Sequence, residues 1–457
     1  MQSNSGNKKI GIDFTNGSLF NAFVAFLIPF LLANILNSLY NAVDMVIIGK
    51  YVGVTGTAAV STGGKLLNMY TLICSGLAGG GQIYISQLIG KGNKEKINNA
   101  IGTLFSLLIV ISTIVAVLTI VFSRQILNWM NVDTEYYQGA WNYLLITSIG
   151  LPFLYCFNAV SSVLRGMGDS KHPLLFISIA AVSNLVLDIV FIAVFQMGEA
   201  GAAIATVIGQ TISLVLAVGL LYKEKECFGF DFKKESFKIN NEDAKIMLKI
   251  GLPNAIRNGL ISSVQVVMTG CVNAYGTIDA AAFGIGTKIS SLATVVSTSC
   301  TQAGGAVVAQ NLGANKPERA KKQVFIELAI TLGFAIVLSI PALAFPEIIF
   351  GLFTDNPQVM IYANPMMRIV VLTLFLAAMV SSFGATTTGS GASGLSLLSG
   401  IMDGIVFRVG LSFFFAYVLN HGMMGFALGD SLARVAYILI NGAYFFSGKW
   451  EKRRLVK

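Results

Sequence analysis

Residues 19–49, LFNAFVAFLIPFLLANILNSLYNAVDMVIIG, contain one charged side chain, Asp44, in 31 positions. An α-helix rises 1.5 Å per residue, so about 20 predominantly apolar residues cross the roughly 30 Å hydrocarbon core of a bilayer. This stretch is long enough and apolar enough to do so. Similar stretches recur along the chain, near 57–89, 98–122, 137–164, 174–196, 200–222, 247–273, 280–311, 324–346, 361–388, 394–418 and 422–447. With the first, they make twelve expected spans. Composition agrees: 54% of the 457 residues are apolar and 12% are charged, against about 25% charged in soluble domains. The fold class expected is an all-α integral membrane protein. The first apolar segment is too long for a secretory leader and lacks a small-residue cleavage pattern, so it is expected to remain in place.

The formal charge of +9 does not point to nucleic acid, because its placement follows topology. With the N-terminus inside, 23 of the 31 Lys and Arg fall in inside segments: Lys8/Lys9, Lys91 to Lys96, Arg165/Lys171, Lys223 to Lys249, Lys316 to Lys322 and the tail from Lys449. Only Lys50 and Arg124 fall in outside loops. That asymmetry puts both termini in the cytoplasm of a multi-pass protein of the cell membrane and requires an even number of spans. Cys74, Cys156, Cys227, Cys271 and Cys300 are widely spaced and read as packing residues.

The chain also repeats itself. Residues 81–93, GQIYISQLIGKGN, resemble 304–316, GGAVVAQNLGANK, with Gln87/Gly90 matching Gln310/Gly313 at an offset of 223. The same offset pairs Lys65 with Lys288, Gly166 with Gly389 and Gly168 with Gly391, and Pro29 pairs with Pro253 at 224. The expected organisation is an N-terminal lobe of six helices over 1–222, a polar linker over 223–246 and a C-terminal lobe over 247–457. An even number of helices per half relates the lobes by a pseudo-two-fold axis along the membrane normal, a pattern common in transporters.

Ionisable groups at bilayer depth cost roughly 2.5–3.5 kcal/mol on insertion scales, so each one there is a functional candidate. Asn34, Asn37, Asn41 and Asp44 recur at steps of 3, 4 and 3 on one helical face, with Tyr40 one turn before the acid. Asn184 and Asp188 are one turn apart, and Thr206, Gln210 and Ser213 form a third polar stripe. If these faces meet, two carboxylates ringed by amide and hydroxyl oxygens can hold Na⁺ or share a proton. A Na⁺ site is thus open at Asp44, Asn184, Asp188 and Thr206. Pro29 removes a backbone hydrogen bond mid-helix and permits a kink. The second half has its own stripe, Asn254, Asn258, Ser262 and Gln265, with Arg257, Asp403, Arg408, Asp430 and Arg434 in or near spans. Asp430 and Arg434, one turn apart, read as an intrahelical ion pair, and the paired Lys65 and Lys288 as residues that snorkel to the interface. The glycine clusters at 79–81 and 304–305 lie within apolar spans, and no P-loop motif occurs. His172 and His421 fall in expected loops, and no clustered His/Cys set offers a transition-metal site, so neither a histidine relay nor catalysis is expected.

LYNAVDMVIIG at 39–49, QLIGKGN at 87–93, LRGMGDSKHP at 164–173 continuing to Asn184 and Asp188, and GEAGAAIAT at 198–206 carry a resemblance to the multidrug and toxic compound extrusion (MATE) transporters. It covers nearly the whole chain. The resemblance implies a monomeric antiporter that expels small organic compounds, mostly cationic, against Na⁺ or H⁺, with no cofactor beyond the coupling ion. It carries a cation site over to Tyr40, Asp44, Asn184, Asp188 and Thr206, and a bending first helix to Pro29. Asn158 joins a substrate cavity that the polar stripes would line with Asn37, Asn41, Gln210, Asn258 and Gln265. The stretch Ile261 to Gln265 lacks the seventh-helix glutamate of some members, which argues against their C-lobe ion site. A flippase of lipid-linked saccharides from a related superfamily is the alternative, disfavoured by twelve spans and buried acids. A membrane-embedded enzyme lacks its motifs, and a channel, which would have little reason for two repeats flanking a coupling acid, is separated from a transporter by concentrative transport.

Overall fold

The computed structural model describes residues 11–456, except the side chains of Asn41, Ala42 and Lys94. Lys8, Lys9 and Lys457 of the inside segments lie outside it, as does the side chain of Asn41. Twelve long helices follow in chain order: α1 (Leu19–Tyr51), α2 (Gly53–Lys91), α3 (Lys94–Val121), α4 (Tyr137–Gly166), α5 (Lys171–Val194), α6 (Gly198–Lys223), α7 (Asn241–Asn273), α8 (Thr277–Gly313), α9 (Pro317–Ala344), α10 (Ala363–Gly389), α11 (Ser393–Val418) and α12 (Gly422–Phe446). Each covers one expected span. Eleven are long and apolar enough to cross a membrane. The exception is α7, which is 33 residues long but carries Lys245, Lys249, Asn254, Arg257, Asn258 and Gln265 along its length. α1 runs through Pro29 as one helix.

α3 shows how the bilayer reverses the usual rule for a soluble helix. Ile97, Ile101, Leu104 and Leu108 form its buried stripe, while Val110, Ile114, Val117 and Val121 form an equally apolar stripe that is exposed. Both faces are apolar because lipid, not water, meets the outer one. Many hydroxyl groups on the spans are satisfied locally: Thr147, Ser148, Thr206 and Thr331 each donate to a carbonyl of the preceding turn.

The chain divides into two compact units, Met1–Asp13 with Val24–Gly251, and Phe14–Phe23 with Leu252–Lys457. In the first, α4 packs on α2, α3 and α6, and α5 packs on α6. In the second, α10 packs on α8, α9 and α12 in the corresponding pattern. The repeat therefore appears as packing within each unit. Gly81 faces Leu104 in one unit and Gly304 faces Glu327 in the other, and in both the glycine is needed because a Cβ would collide with that side chain. Gly168 and Gly391, paired by the same offset, both take left-handed backbone (φ +86° and +67°) just beyond α4 and α10.

The polar segment between α6 and α7 lies docked on α3. Ser106 Oγ donates to Phe237 O (2.5 Å), Asn98 Nδ2 to Ser236 Oγ (3.2 Å), and the Asn240 amide to Thr103 Oγ1 (3.1 Å). Phe105, Phe230 and Phe237 form an aromatic cluster over the same ground. His172, expected in a loop, lies in the first turn of α5 instead. Asp169 Oδ1 accepts the Lys171 and His172 amides (3.0 and 3.2 Å), which starts the helix earlier than hydropathy suggests, and the His172 ring closes on the same carboxylate.

Candidate functional site

Three elements of the first unit bring the acids together: α1 supplies Tyr40 and Asp44, α5 supplies Asn184 and Asp188, and α6 supplies Thr206. Asp44, Asn184, Asp188 and Thr206 are all buried. Asp44 and Asp188 lie close enough for their carboxyl groups to interact. Two carboxylates repel at that separation, so the pair needs a proton or another cation. The Asn184 amide bridges the site: its nitrogen donates to Asp188 Oδ2 at 2.8 Å and its oxygen accepts from the Thr206 amide at 3.1 Å. Thr206 Oγ1 donates to Ala202 O (2.9 Å), and Tyr40 and, from α4, Tyr143 lie close to it. Oδ1 of Asp44 and Oδ1 of Asp188 are buried and receive no donor from the described residues.

These donor-free oxygens decide the fit. Buried polar atoms are normally satisfied, and buried carboxylate oxygens without donors are satisfied by a proton or another cation. A proton fits. Na⁺ fits the same chemistry, with hard oxygens from Asp44, Asp188 and Thr206 and with Asn184 orienting Asp188. A group of three or more His, Cys, Asp and Glu does not occur among the described residues, which sets the site apart from transition-metal centres.

The other sequence candidates are more scattered. Asn37 and Gln265 are exposed, and Gln210 and Asn258 are half-buried. Asn158 Nδ2 donates to Leu154 O of its own helix at 2.9 Å. Asn254 accepts from Ser396 Oγ (2.6 Å), and Arg257 donates to Tyr437 OH (3.2 Å), so part of the second stripe serves packing. The Asp430–Arg434 pair exists at 3.4 Å, but Arg408 also joins it, contacting Asp430 and lying 3.1 Å from Asp403. Two acids and two bases form one neutral network, assembled from α11 and α12. Lys65 and Lys288 are exposed. Sequence reasoning passed over Tyr143, an aromatic residue in an apolar span whose polar end became visible only once α4 was seated against α6.

The family model described as MatE matches residues 29–190 and again 253–418, the two matches beginning at the paired Pro29 and Pro253. The chain belongs to the MATE family of multidrug efflux transporters. The repeat and the span pattern are those of a MATE transporter, and the MATE family is not enzymatic. Among MATE relatives, the probable multidrug resistance protein YoeA of Bacillus subtilis (strain 168) is 27% identical over 450 residues, 96% of each chain. The FAD transporter of Shewanella oneidensis is 27% identical over 319 residues, 67% of this chain and 69% of that one. The solved outward-facing structure of a multidrug resistance MATE transporter superposes with a TM-score of 0.88 at 20% identity, covering 98% of this chain and all of the other. That likeness establishes the MATE fold.

Proposed function

We propose that this MATE transporter expels small organic compounds, chiefly cations, in exchange for inward H⁺ or Na⁺ bound at Asp44 and Asp188. The observation that carries this reading is the pair of buried acids, Asp44 and Asp188, each with a donor-free Oδ1, and the Asn184 bridge from Asp188 to Thr206. With the cation bound, the pair is close to neutral and tolerates burial. With it gone, two negative charges face each other in a low dielectric, and the site favours a conformation that admits water or a cationic substrate. One six-helix lobe would then work against the other in alternating access, with Pro29 allowing α1 to bend. Both termini lie in the cytoplasm in this reading, and the chain works as a monomer in the cell membrane.

The experiment is efflux of a fluorescent organic cation from proteoliposomes, driven by a Na⁺ gradient or by a pH gradient in separate runs. Wild type should respond to at least one gradient, and Asp44→Asn should fall to the protein-free rate while eluting as a folded protein. Full efflux by Asp44→Asn would remove the pair from the mechanism. A second reading, export of an anionic dinucleotide, draws on the Shewanella relative named an FAD transporter. Competition by FAD in the same vesicles, without competition by organic cations, would favour it.

A further inference from the structure

Another buried carboxyl, in the second unit, plays no part in the scheme above. Glu327, on α9, is 0% exposed. Its Oε1 accepts from Ser381 Oγ of α10 at 2.6 Å, and its Oε2 has no partner. An ionised carboxylate offers about four acceptor positions, and here one is used. The groups facing it are uncharged: the Cys300 thiol from α8, the Ser381 hydroxyl from α10 and, one turn away on α9 itself, the Gln323 amide. Among the described residues no Lys, Arg or His forms an ion pair with it. An uncompensated charge at this depth is strongly disfavoured.

The fold itself does not call for an acid there. The repeat places Leu104, also 0% exposed, at the corresponding position of the first unit, against Gly81 as Glu327 lies against Gly304. An aliphatic side chain therefore meets the packing need. Gly304 leaves room for the carboxyl, since a Cβ there would collide with Oε2. The polar atoms near it are also unevenly placed. Gln323 has neither end of its amide partnered, and Asn311 Oδ1 and Thr386 Oγ1 are buried without donors. Gln323 lies one turn nearer the α8–α9 connection, while Asn311 and Thr386 lie beyond Gly304 and Ser381 toward the ends of α8 and α10 on that same side. Buried polar groups without partners thus lie on one side of the carboxyl along their helices, the cytoplasmic side in the reading above.

We infer that Glu327 is a second cation site, a carboxyl in the interior of the C-terminal unit that binds and releases a proton through the Gln323, Asn311 and Thr386 side. A proton suits it better than Na⁺, because among the described residues Ser381 Oγ is the one side-chain oxygen at hydrogen-bonding distance from it, and a metal cation takes several oxygen ligands. The site is independent of the Asp44/Asp188 pair, and its occupancy can be read without transport.

Infrared difference spectra of the full chain in lipid vesicles, recorded across a pH titration, test this. The expected result is a protonated-carboxyl C=O band at neutral pH that shifts in D₂O, fades on alkalinisation, is lost in Glu327→Gln and Glu327→Leu, and persists in Asp44→Asn. Glu327→Leu copies the first unit and should fold; Gln323→Leu should slow the D₂O shift of the Glu327 band. A missing Glu327 band at neutral pH would overturn the assignment. So would a band unmoved by D₂O and pH, which would mark a static buried acid, or one displaced by Na⁺ at constant pH. Failure of the antiport reading would appear instead as gradient-independent efflux with the Glu327 band intact.

Discussion

Asp188 depends on Asn184 for more than proximity. The amide nitrogen holds one carboxylate oxygen while the amide oxygen is fixed by the Thr206 backbone, so Asn184 sets where the other oxygen points. Removing an orienting partner of this kind weakens cation affinity by about 10–100-fold. Asn184→Ala should raise the half-activating concentration of the coupling ion by that factor, with efflux at saturating ion retained, as vesicle flux at graded ion concentrations would show. At Arg408 the stake is stability. Its guanidinium is buried between Asp403 and Asp430. Arg408→Ala leaves two acids with one remaining arginine, a loss of about 3–5 kcal/mol, visible as a lowered thermal midpoint in detergent. Residue by residue, the sequence disclosed Asp44, Asn184, Asp188 and Thr206 because charged and amide groups at helical spacing are conspicuous in apolar runs. It disclosed Tyr143 and Glu327 poorly. Tyrosine is common in spans, and Glu327 sits three residues inside the expected start of its span, where an acid reads as an interfacial one; Pro317 starts the helix seven residues earlier and carries it inward.

At the level of elements, the α6–α7 segment reads as a polar linker by composition, yet hydrogen bonds and aromatic contacts fasten it to α3. Asp231 organises it, accepting from Ser236 Oγ (2.5 Å) and the Lys233 amide (3.1 Å). The Ser236 bond leads in holding this carboxyl below its usual range, helped by the Lys233 amide. A depressed carboxylate adds stability above its unfolded value and loses it as pH falls through the folded one. Acidification should therefore loosen this segment first, seen as faster amide exchange at Lys233 and Ser236, and Asp231→Asn should show that faster exchange already at neutral pH. Helix boundaries moved for similar local reasons. Asp169 pulls the start of α5 back over His172, and the polar face of α7 lowers its hydropathy although its length is that of a span.

For the whole molecule, hydropathy and the offset of 223 carried most of the architecture: twelve helices, the repeated packing of α2–α4 and α8–α10, and membership of a family whose model matches twice. Side-chain networks across helices were beyond reach, because they depend on which faces meet. Orientation is testable through Cys227, the exposed thiol of the docked segment. A membrane-impermeant thiol reagent should label it in inverted vesicles and spare it in intact cells; labelling from outside would reverse the topology. One feature of α5 bears on how such a protein could change state. Directly after Asp188, residues Ile189–Val194 form a wide π turn, and α11 carries two more over Met402–Phe407 and Phe414–Val418. A π turn holds one residue of slack, and one residue of an α-helix is about 100° of rotation. Passing that slack along the helix would swivel the intervening side chains by roughly a quarter-turn while the helix ends stay put, so α5 is threaded like a screw with Asp188 next to its loose turn.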